Sequence, residues 1–525
     1  MKQFMCKNLT YYYPNQKIPA LKKINLSIHK GEFILVLGNS GSGKSTLGRV
    51  LNRIVPEFYG GKIAGTIESN AKIGMIFQDP EKQLVMDKVE REIAFGLENI
   101  GTPPEAMKKS VIETLSFLNL WDIKDEKTYN LSGGQKQKVA IGSILAMGYE
   151  FLVLDEPTSQ LDPTSSEEIL HLLKRLNEEL GYTIVLIEQR VDRCFHLADR
   201  ILFLESGEIL FDGTKENFAR WSHLHRKKFL PPLSDYFVRI GASPIPFTVK
   251  EGRDKLKNYF PDQKIPTITP PVSFHTGSDT AVEIQNISFS YDQNKDVLKS
   301  IVLKVFSREI LGIMGQNGSG KSTLMKIIAG LLKPKDGKIV INGKVGYLSQ
   351  NPNDYLFSDS VYEELAFSLK QHKIKDFKKI KRTLEQLGIE YCKDKNPRDL
   401  SSGEKQRVAL GSILVTDPDI LILDEPTRGL DRNAKEKLGE LLLSLKAAGK
   451  TILLVTHDVE FAANICTRVC LIFDGNIAQI GSKYEVLTSG IFYTTQIHKL
   501  FHGLSNILTL DDALSISSIS KAGGI

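Results

Sequence analysis

"GNSGSGKST" (Gly38–Thr46) and "GQNGSGKST" (Gly315–Thr323) are two copies of one pattern, G-x-x-x-x-G-K-[ST], in a chain of 525 residues. The pattern suits phosphate. Its glycines let backbone amides close on an anion, its lysine reaches the terminal phosphates, and the following hydroxyl can hold a magnesium ion. The flanks agree. "EFILVLG" (Glu32–Gly38) reads as a buried strand, and "KSTLGRVLNRI" (Lys44–Ile54) puts Leu47, Val50, Leu51 and Ile54 at helical spacing. In a strand, glycine loop and helix, the loop amides and the helix N-terminus both face the phosphates. One cradle binds one nucleotide, so the second copy needs an explanation.

More than the cradle is duplicated. "LSGGQKQKVAIGSIL" (Leu131–Leu145) returns as "LSSGEKQRVALGSIL" (Leu400–Leu414), "FLVLDEPTSQLD" (Phe151–Asp162) as "ILILDEPTRGLD" (Ile420–Asp431), and "GMIFQDP" (Gly74–Pro80) as "GYLSQNP" (Gly346–Pro352). The near-constant offset marks one domain of about 230 residues, duplicated and fused. Between the copies, from Lys215 to Thr280, lie eight of the 21 prolines. Proline removes amide donors and biases its predecessor away from helix, so about Pro261 to Thr280 reads as an extended linker. "PFTVKEGRDKL" (Pro246–Leu256) is faintly similar to "ILTLDDAL" (Ile507–Leu514), which suggests a small appendage after each copy.

The strands "FLVLDE" and "ILILDE" end in paired carboxylates, at the end of the sheet where α/β folds bind ligands. Lys44 and Lys321 are placed for the β- and γ-phosphates, and Ser45 and Ser322 for Mg2+. Asp155 and Asp424 suit the magnesium shell, and Glu156 and Glu425 suit the polarisation of an attacking water.

Composition narrows the class. Hydrophobic residues make up 41% and charged residues 25%, and the net charge of +6 is too mild to argue for nucleic acid. No apolar run approaches the roughly 18 residues needed to cross a bilayer. The start, "MKQFMCKNLTYYYP", has no continuous apolar core, so no signal peptide is expected. Five scattered cysteines fit buried thiols better than disulfides. The four-residue spacing of Cys466 and Cys470 lacks a second pair to complete a metal site.

Taken together, these motifs resemble the ATP-binding-cassette (ABC) ATPase family, whose signature is "LSGGQ" between the P-loop and the carboxylates. The resemblance implies an α/β fold of two P-loop domains, each with a mixed core sheet flanked by helices, an antiparallel β subdomain and a helical signature subdomain. It places the first ATPase domain at 1–230, an appendage and linker at 231–280, the second domain at 281–500 and a C-terminal appendage at 501–525. It implies ATP hydrolysis with ATP and Mg2+ bound. Nucleotide contacts fall on Gly38, Asn39, Ser40, Gly41, Ser42, Gly43, Lys44, Ser45 and Thr46, and on Gly315, Gln316, Asn317, Gly318, Ser319, Gly320, Lys321, Ser322 and Thr323. Tyr13 and Tyr291 match the aromatic that stacks on adenine, and Gln78 and Gln350 the glutamine that touches Mg2+ and signals to a membrane partner. Asp162 and Asp431 match the aspartate of the loop that faces the opposite subunit, and His457 matches the switch histidine near the γ-phosphate.

The family also accounts for the second cradle. Its cassettes pair head to tail, and each ATP lies between the P-loop of one and the signature of the other. Signature contacts then fall on Ser132, Gly133, Gly134 and Gln135, and on Ser401, Ser402, Gly403 and Glu404. The copies are unequal, since Gln189 stands where the second copy has His457, and "LSSGE" replaces "LSGGQ". Head-to-tail pairing puts both departures in one site, so the His457 site is expected to do most of the hydrolysis.

Within the family, "IFQDPEKQLVMDKVEREIAFGLENIG" (Ile76–Gly101) and "LSQNPNDYLFSDSVYEELAFSLK" (Leu348–Lys370) look like the ATPase of energy-coupling-factor importers of vitamins, cobalt or nickel. That likeness implies two kinds of integral membrane partner, a coupling subunit and a substrate-binding subunit. It also implies a peripheral place on the cytoplasmic face of the membrane, and no nucleic acid. Val89, Ile93 and Leu97 are expected to pack inward in any case. Two rivals stay open: soluble tandem ABC ATPases that act on ribosomes, and fused ATPases of sugar importers. The first usually carry "NHLD" and a charged helical linker where this chain has "TSQLD", "TRGLD" and prolines.

Overall fold

The computed structural model describes residues 1–259, 279–291, 296–490, 492–503 and 507–522, with backbone only at 258, 259, 402 and 517–522. They divide into two units, Met1–Glu251 and Gly252–Ile525. The first has strands β1 (Lys2–Tyr12), β2 (Leu21–His29), β3 (Phe33–Leu37), β4 (Lys62–Ser69), β5 (Ile73–Ile76), β6 (Phe151–Asp155), β7 (Thr183–Ile187), β8 (Arg200–Glu205) and β9 (Glu208–Thr214). The second repeats them as β10 (Thr280–Phe289), β11 (Leu298–Phe306), β12 (Ile310–Met314), β13 (Asp336–Ile341), β14 (Val345–Leu348), β15 (Ile420–Asp424), β16 (Thr451–Val455), β17 (Arg468–Phe473) and β18 (Asn476–Ser482).

Each unit has a six-stranded core sheet, ordered β5-β6-β7-β3-β8-β9 in the first and β14-β15-β16-β12-β17-β18 in the second. All neighbours are parallel except the final pair, β8–β9 or β17–β18. Five-residue strands such as "FILVL" and "TIVLI" are buried throughout, because a parallel sheet is covered on both faces. The second unit shows the two faces separately. Leu311, Ile313, Ile422 and Leu453 join one apolar cluster with the helix Lys321–Ile328 and the antiparallel strands. Ile310, Leu421, Leu423 and Ile452 join another, with the helices Val361–Gln371 and Arg432–Ala447. The alternation follows from successive strand residues facing opposite ways.

A three-stranded antiparallel sheet, β2-β1-β4 or β11-β10-β13, covers the face that carries the P-loop helix. The signature helix, Gly133–Ala146 or Ser402–Leu414, packs against the helix Val89–Asn99 or Val361–Gln371.

The linker expected near 261–280 lies outside the described residues except at Asp279 and Thr280, where β10 begins. The two faintly similar stretches start helices with the same cap. Thr248 Oγ1 accepts Glu251 N at 3.2 Å while Glu251 Oε2 accepts Phe247 N at 2.8 Å. Thr509 Oγ1 accepts Asp512 N at 3.2 Å while Asp512 Oδ2 accepts Leu508 N at 3.1 Å. All five cysteines are buried free thiols, and burial pushes those of Cys466 and Cys470 up to about 12. No group of three or more metal-ligating His, Cys, Asp or Glu occurs among the described residues. None of their helices is long and apolar enough to cross a membrane.

Candidate nucleotide sites

The P-loops take the same shape in both units. Gly38 and Gly315 have φ 150°, and a Cβ at either would collide with the backbone of β8 or β17. Only glycine lets the loop leave β3 or β12 so close to its neighbour. Lys44 Nζ donates to the carbonyls of Gly38 (2.8 Å) and Asn39 (2.9 Å), and Lys321 Nζ to those of Gly315 (3.0 Å) and Gln316 (2.6 Å). The ammonium groups are thereby held inside the cradles. Buried Ser42 Oγ and Ser319 Oγ have no hydrogen-bond partner there. A phosphate fits such a cradle, since an anion would satisfy buried donors that protein atoms do not.

The carboxylates reach it from β6 and β15. Ser45 Oγ donates to Asp155 Oδ1 at 3.1 Å. Asp424 is 2% exposed, and its Oδ1 has no hydrogen-bond partner. Burial raises the Asp155 carboxyl, and Ser45, Arg49 and Lys44 pull it back; burial raises Asp424 likewise, offset by Ser322 and Lys321. Hydroxyl and carboxylate oxygens suit a magnesium ion, and a cation would relieve that burial. Glu156 and Glu425 follow in left-handed backbone, φ 49° and 53°, a conformation that costs about 1–3 kcal/mol and gathers at functional sites.

The units then differ. Gln78 Nε2 donates to Glu156 Oε2 at 2.9 Å, and Gln189 Nε2 to Glu156 Oε1 at 2.5 Å. Both oxygens of Glu156 are thus capped by amides. Gln78 meets Glu156 rather than Asp155, and Gln350 is exposed. In the second unit, His457 Nε2 lies 3.2 Å from Glu425 Oε1, with both side chains buried. Burial first, then the charges of Glu188 and Asp155, push the Glu156 carboxyl up to about 7.

Glu188 escapes motif reading. It is 2% exposed and bolts the loop after Glu156 to β7: its Oε1 accepts Thr158 N (3.0 Å) and Thr158 Oγ1 (2.6 Å). The second unit has Thr456 there, 3.4 Å from the Thr427 hydroxyl. The signal was visible as "LIEQ" against "LVTH", but a lone glutamate at a strand end gives no partner.

Tyr13 Oη lies 3.2 Å from Thr46 Oγ1, and Tyr291 Oη 3.2 Å from Thr323 Oγ1, so both rings stand beside the P-loop. Asp162 and Asp431 cap the next helices through Ser165 N (3.0 Å) and Ala434 N (2.8 Å).

The signature residues start helices. Ser132 Oγ accepts Gln135 N at 3.3 Å and Gln135 Oε1 accepts Ser132 N at 2.9 Å, a closed capping box. Gly133 and Gly134 lie against Leu161 and Ser165, where an added Cβ would crowd. In the second unit Glu404 Oε2 accepts both Ser401 N (2.9 Å) and Ser401 Oγ (2.5 Å), and Tyr391 Oη donates to Oε1 at 2.5 Å. Burial alone would raise the Glu404 carboxyl; the bonds from Ser401 and Tyr391 overcome it and hold it at about 2. The side chain of Ser402 lies outside the described residues, and Gly403 has room on the side of Leu430.

The comparisons with known proteins agree with this geometry. The ABC transporter family matches residues 21–159 and 298–428. A protein of Clostridium tetani (strain Massachusetts / E88), provisionally named an ABC transporter ATP-binding protein, is 44% identical over 447 residues, 82% of this chain and 100% of that one. Another so named, from Bacillus thuringiensis subsp. konkukian (strain 97-27), is 38% identical over 534 residues, 96% of each chain. Among solved structures, the archaeal ribosome recycling factor in complex with a ribosomal stalk protein superposes with a TM-score of 0.63 at 22% identity, over 92% of this chain and 91% of that one, a likeness of fold. With two P-loops, two sets of carboxylates and this kinship, the chain belongs to the ABC transporter family as a tandem ATP-binding ATPase.

Proposed function

We propose that this ATPase energises an importer of the energy-coupling-factor type through separate integral membrane subunits, from the cytoplasmic face of the membrane. The observation that carries this reading is how the segment after Gln78 and after Gln350 is held. Glu92 Oε2 accepts the amides of Val85 (2.8 Å) and Met86 (2.6 Å), and Glu364 Oε2 those of Phe357 (2.7 Å) and Ser358 (2.8 Å). These buried glutamates fix each turn with its apolar residue outward, Val85 at 67% and Phe357 at 63% exposure. Fixed, exposed apolar side chains suit a partner helix.

ATP hydrolysis is divided unequally on the same reading. Lys44 and Lys321 hold the β- and γ-phosphates, and Glu156 and Glu425 polarise the attacking water. Magnesium, held by Ser45 with Asp155 and by Ser322 with Asp424, would neutralise phosphate charge. Were the cassettes to pair head to tail, as the family resemblance implies, the Gln189 site would meet "LSSGE", whose Glu404 stays ionised, and the His457 site would meet "LSGGQ". Two amides on Glu156 and an anion in its partner signature both disfavour turnover there.

The double substitution Val85→Asp with Phe357→Asp tests the membrane reading. The variant should keep its fold and its ATPase activity but lose attachment to membranes that hold its transport subunits. Attachment of the unaltered chain to ribosomes instead would overturn the reading.

A further inference from the structure

The strands β5 and β14 lie at the edge of each core sheet and lead into Gln78 and Gln350. Met75 pairs with Val153 and Tyr347 with Ile422, so both stand at the same register, two residues before the magnesium carboxylate of the adjacent strand. In each unit a side chain from beyond the glutamine folds back on this strand. In the first, Phe77 N donates to Gln83 Oε1 at 3.0 Å, and Gln83 Nε2 donates to the Met75 carbonyl at 3.4 Å. In the second, Ser349 N donates to Tyr355 Oη at 2.9 Å, and Tyr355 Oη donates to the Tyr347 carbonyl at 2.9 Å. An amide and a phenol thus perform one bridging task.

The second unit then goes a step further. Tyr347 Oη donates to Asp424 Oδ2 at 3.4 Å, while Asp424 Oδ1 stays buried without a partner. A phenol keeps its proton throughout the neutral range, so the Tyr347 hydroxyl is a donor there. Met75 carries a thioether, which has no proton to donate to Asp155.

We propose that Tyr347 and Tyr355 are positioning residues: together they orient the Asp424 carboxylate toward magnesium and tie it to the segment after Gln350, a tie that the first unit does not make through Met75. The inference rests on Asp424 belonging to the magnesium shell. Its consequence is that a partner which moves the segment after Gln350 acts on metal binding in the second unit.

The test uses the full chain with Lys44→Ala, so that nucleotide binding reports the second unit. Manganese replaces magnesium as a spin probe, and its binding to the chain loaded with a non-hydrolysable ATP analogue is followed by electron paramagnetic resonance. Tyr347→Phe should weaken Mn2+ binding roughly three- to tenfold, the range of one ordinary hydrogen bond, since the contact is long at 3.4 Å. Binding of the analogue without metal should not change. Tyr355→Phe should give a smaller loss that is not additive with Tyr347→Phe. Tyr347→Met, the residue of the first unit, keeps the test open if Tyr347→Phe melts early. Unchanged Mn2+ affinity in both Tyr347 variants, or an equal loss in metal-free analogue binding, would overturn the proposal. Asp424→Asn separates the layers. If it leaves Mn2+ binding intact, the metal assignment falls and the relay with it; if it abolishes binding while Tyr347→Phe does nothing, the relay alone falls.

Discussion

Glu156 shows what one residue's surroundings do to a shared motif. It and Glu425 occupy the same strand end, yet Glu156 has two amides on its oxygens and Glu188 nearby, where Glu425 has His457. Its carboxyl titrates near 7 in the fold, against 4.5 ordinarily. Between these values the folded chain holds the proton more tightly than the unfolded one. The group's contribution to stability is therefore present below pH 4.5 and lost as pH rises through 7. Nucleotide-free Glu156→Gln should melt a few degrees above the unaltered chain at pH 8, and the gap should close toward pH 5. A lower melting temperature for the variant at pH 8 would show that the buried charge is well accommodated. The motif residues themselves were legible, because each stands in a short stretch that recurs in the same order in both copies. Glu188 and Glu404 were less so. Their roles depend on Thr158 and Tyr391, which only the fold brings to them.

At the scale of the element, the helices Val89–Asn99 and Val361–Gln371 behave as their spacing predicts, with Val89, Ile93 and Leu97 buried. Phe95 is half-buried and its counterpart Phe367 is 47% exposed, so neither ring belongs wholly to the core. Phe95→Asp should therefore leave the melting temperature within a few degrees while uncoupling ATPase activity from uptake. Early unfolding of that variant would place the ring in the core instead. Glu92 reads in sequence as one more charge at a helix start. Its task is to hold the turn before the helix, and Glu92→Ala removes the carboxylate that the Val85 and Met86 amides bond. About 1–3 kcal/mol is expected from such a loss, read as a lower melting temperature with the P-loop chemistry intact. The core strands "EFILVLG", "FLVLDE" and "ILILDE" were legible as continuous apolar runs, whereas the largely exposed β4, "KIAGTIES", was not. The joint cap of the two appendages appeared in sequence only as a faint echo, since Thr-x-x-Glu and Thr-x-x-Asp share geometry more than identity.

Across the whole molecule, duplication explains why one chain carries two cradles, and the departures from symmetry are the ground for proposing that the two are not used alike. If Lys44 and Lys321 hold the phosphates, loss of both ends turnover: Lys44→Ala with Lys321→Ala should hydrolyse no ATP, and residual activity would contradict the assignment of the cradles. The unequal division of labour is the central claim, and the ATPase rates of Glu425→Gln and Glu156→Gln, each measured alone in the full chain, test it most directly. Removing one catalytic group costs on the order of 10²–10⁴ in rate at its own site. The account predicts that Glu425→Gln nearly silences the chain and that Glu156→Gln keeps a readily measured fraction. Equal losses from the two, or the larger loss from Glu156→Gln, would contradict it.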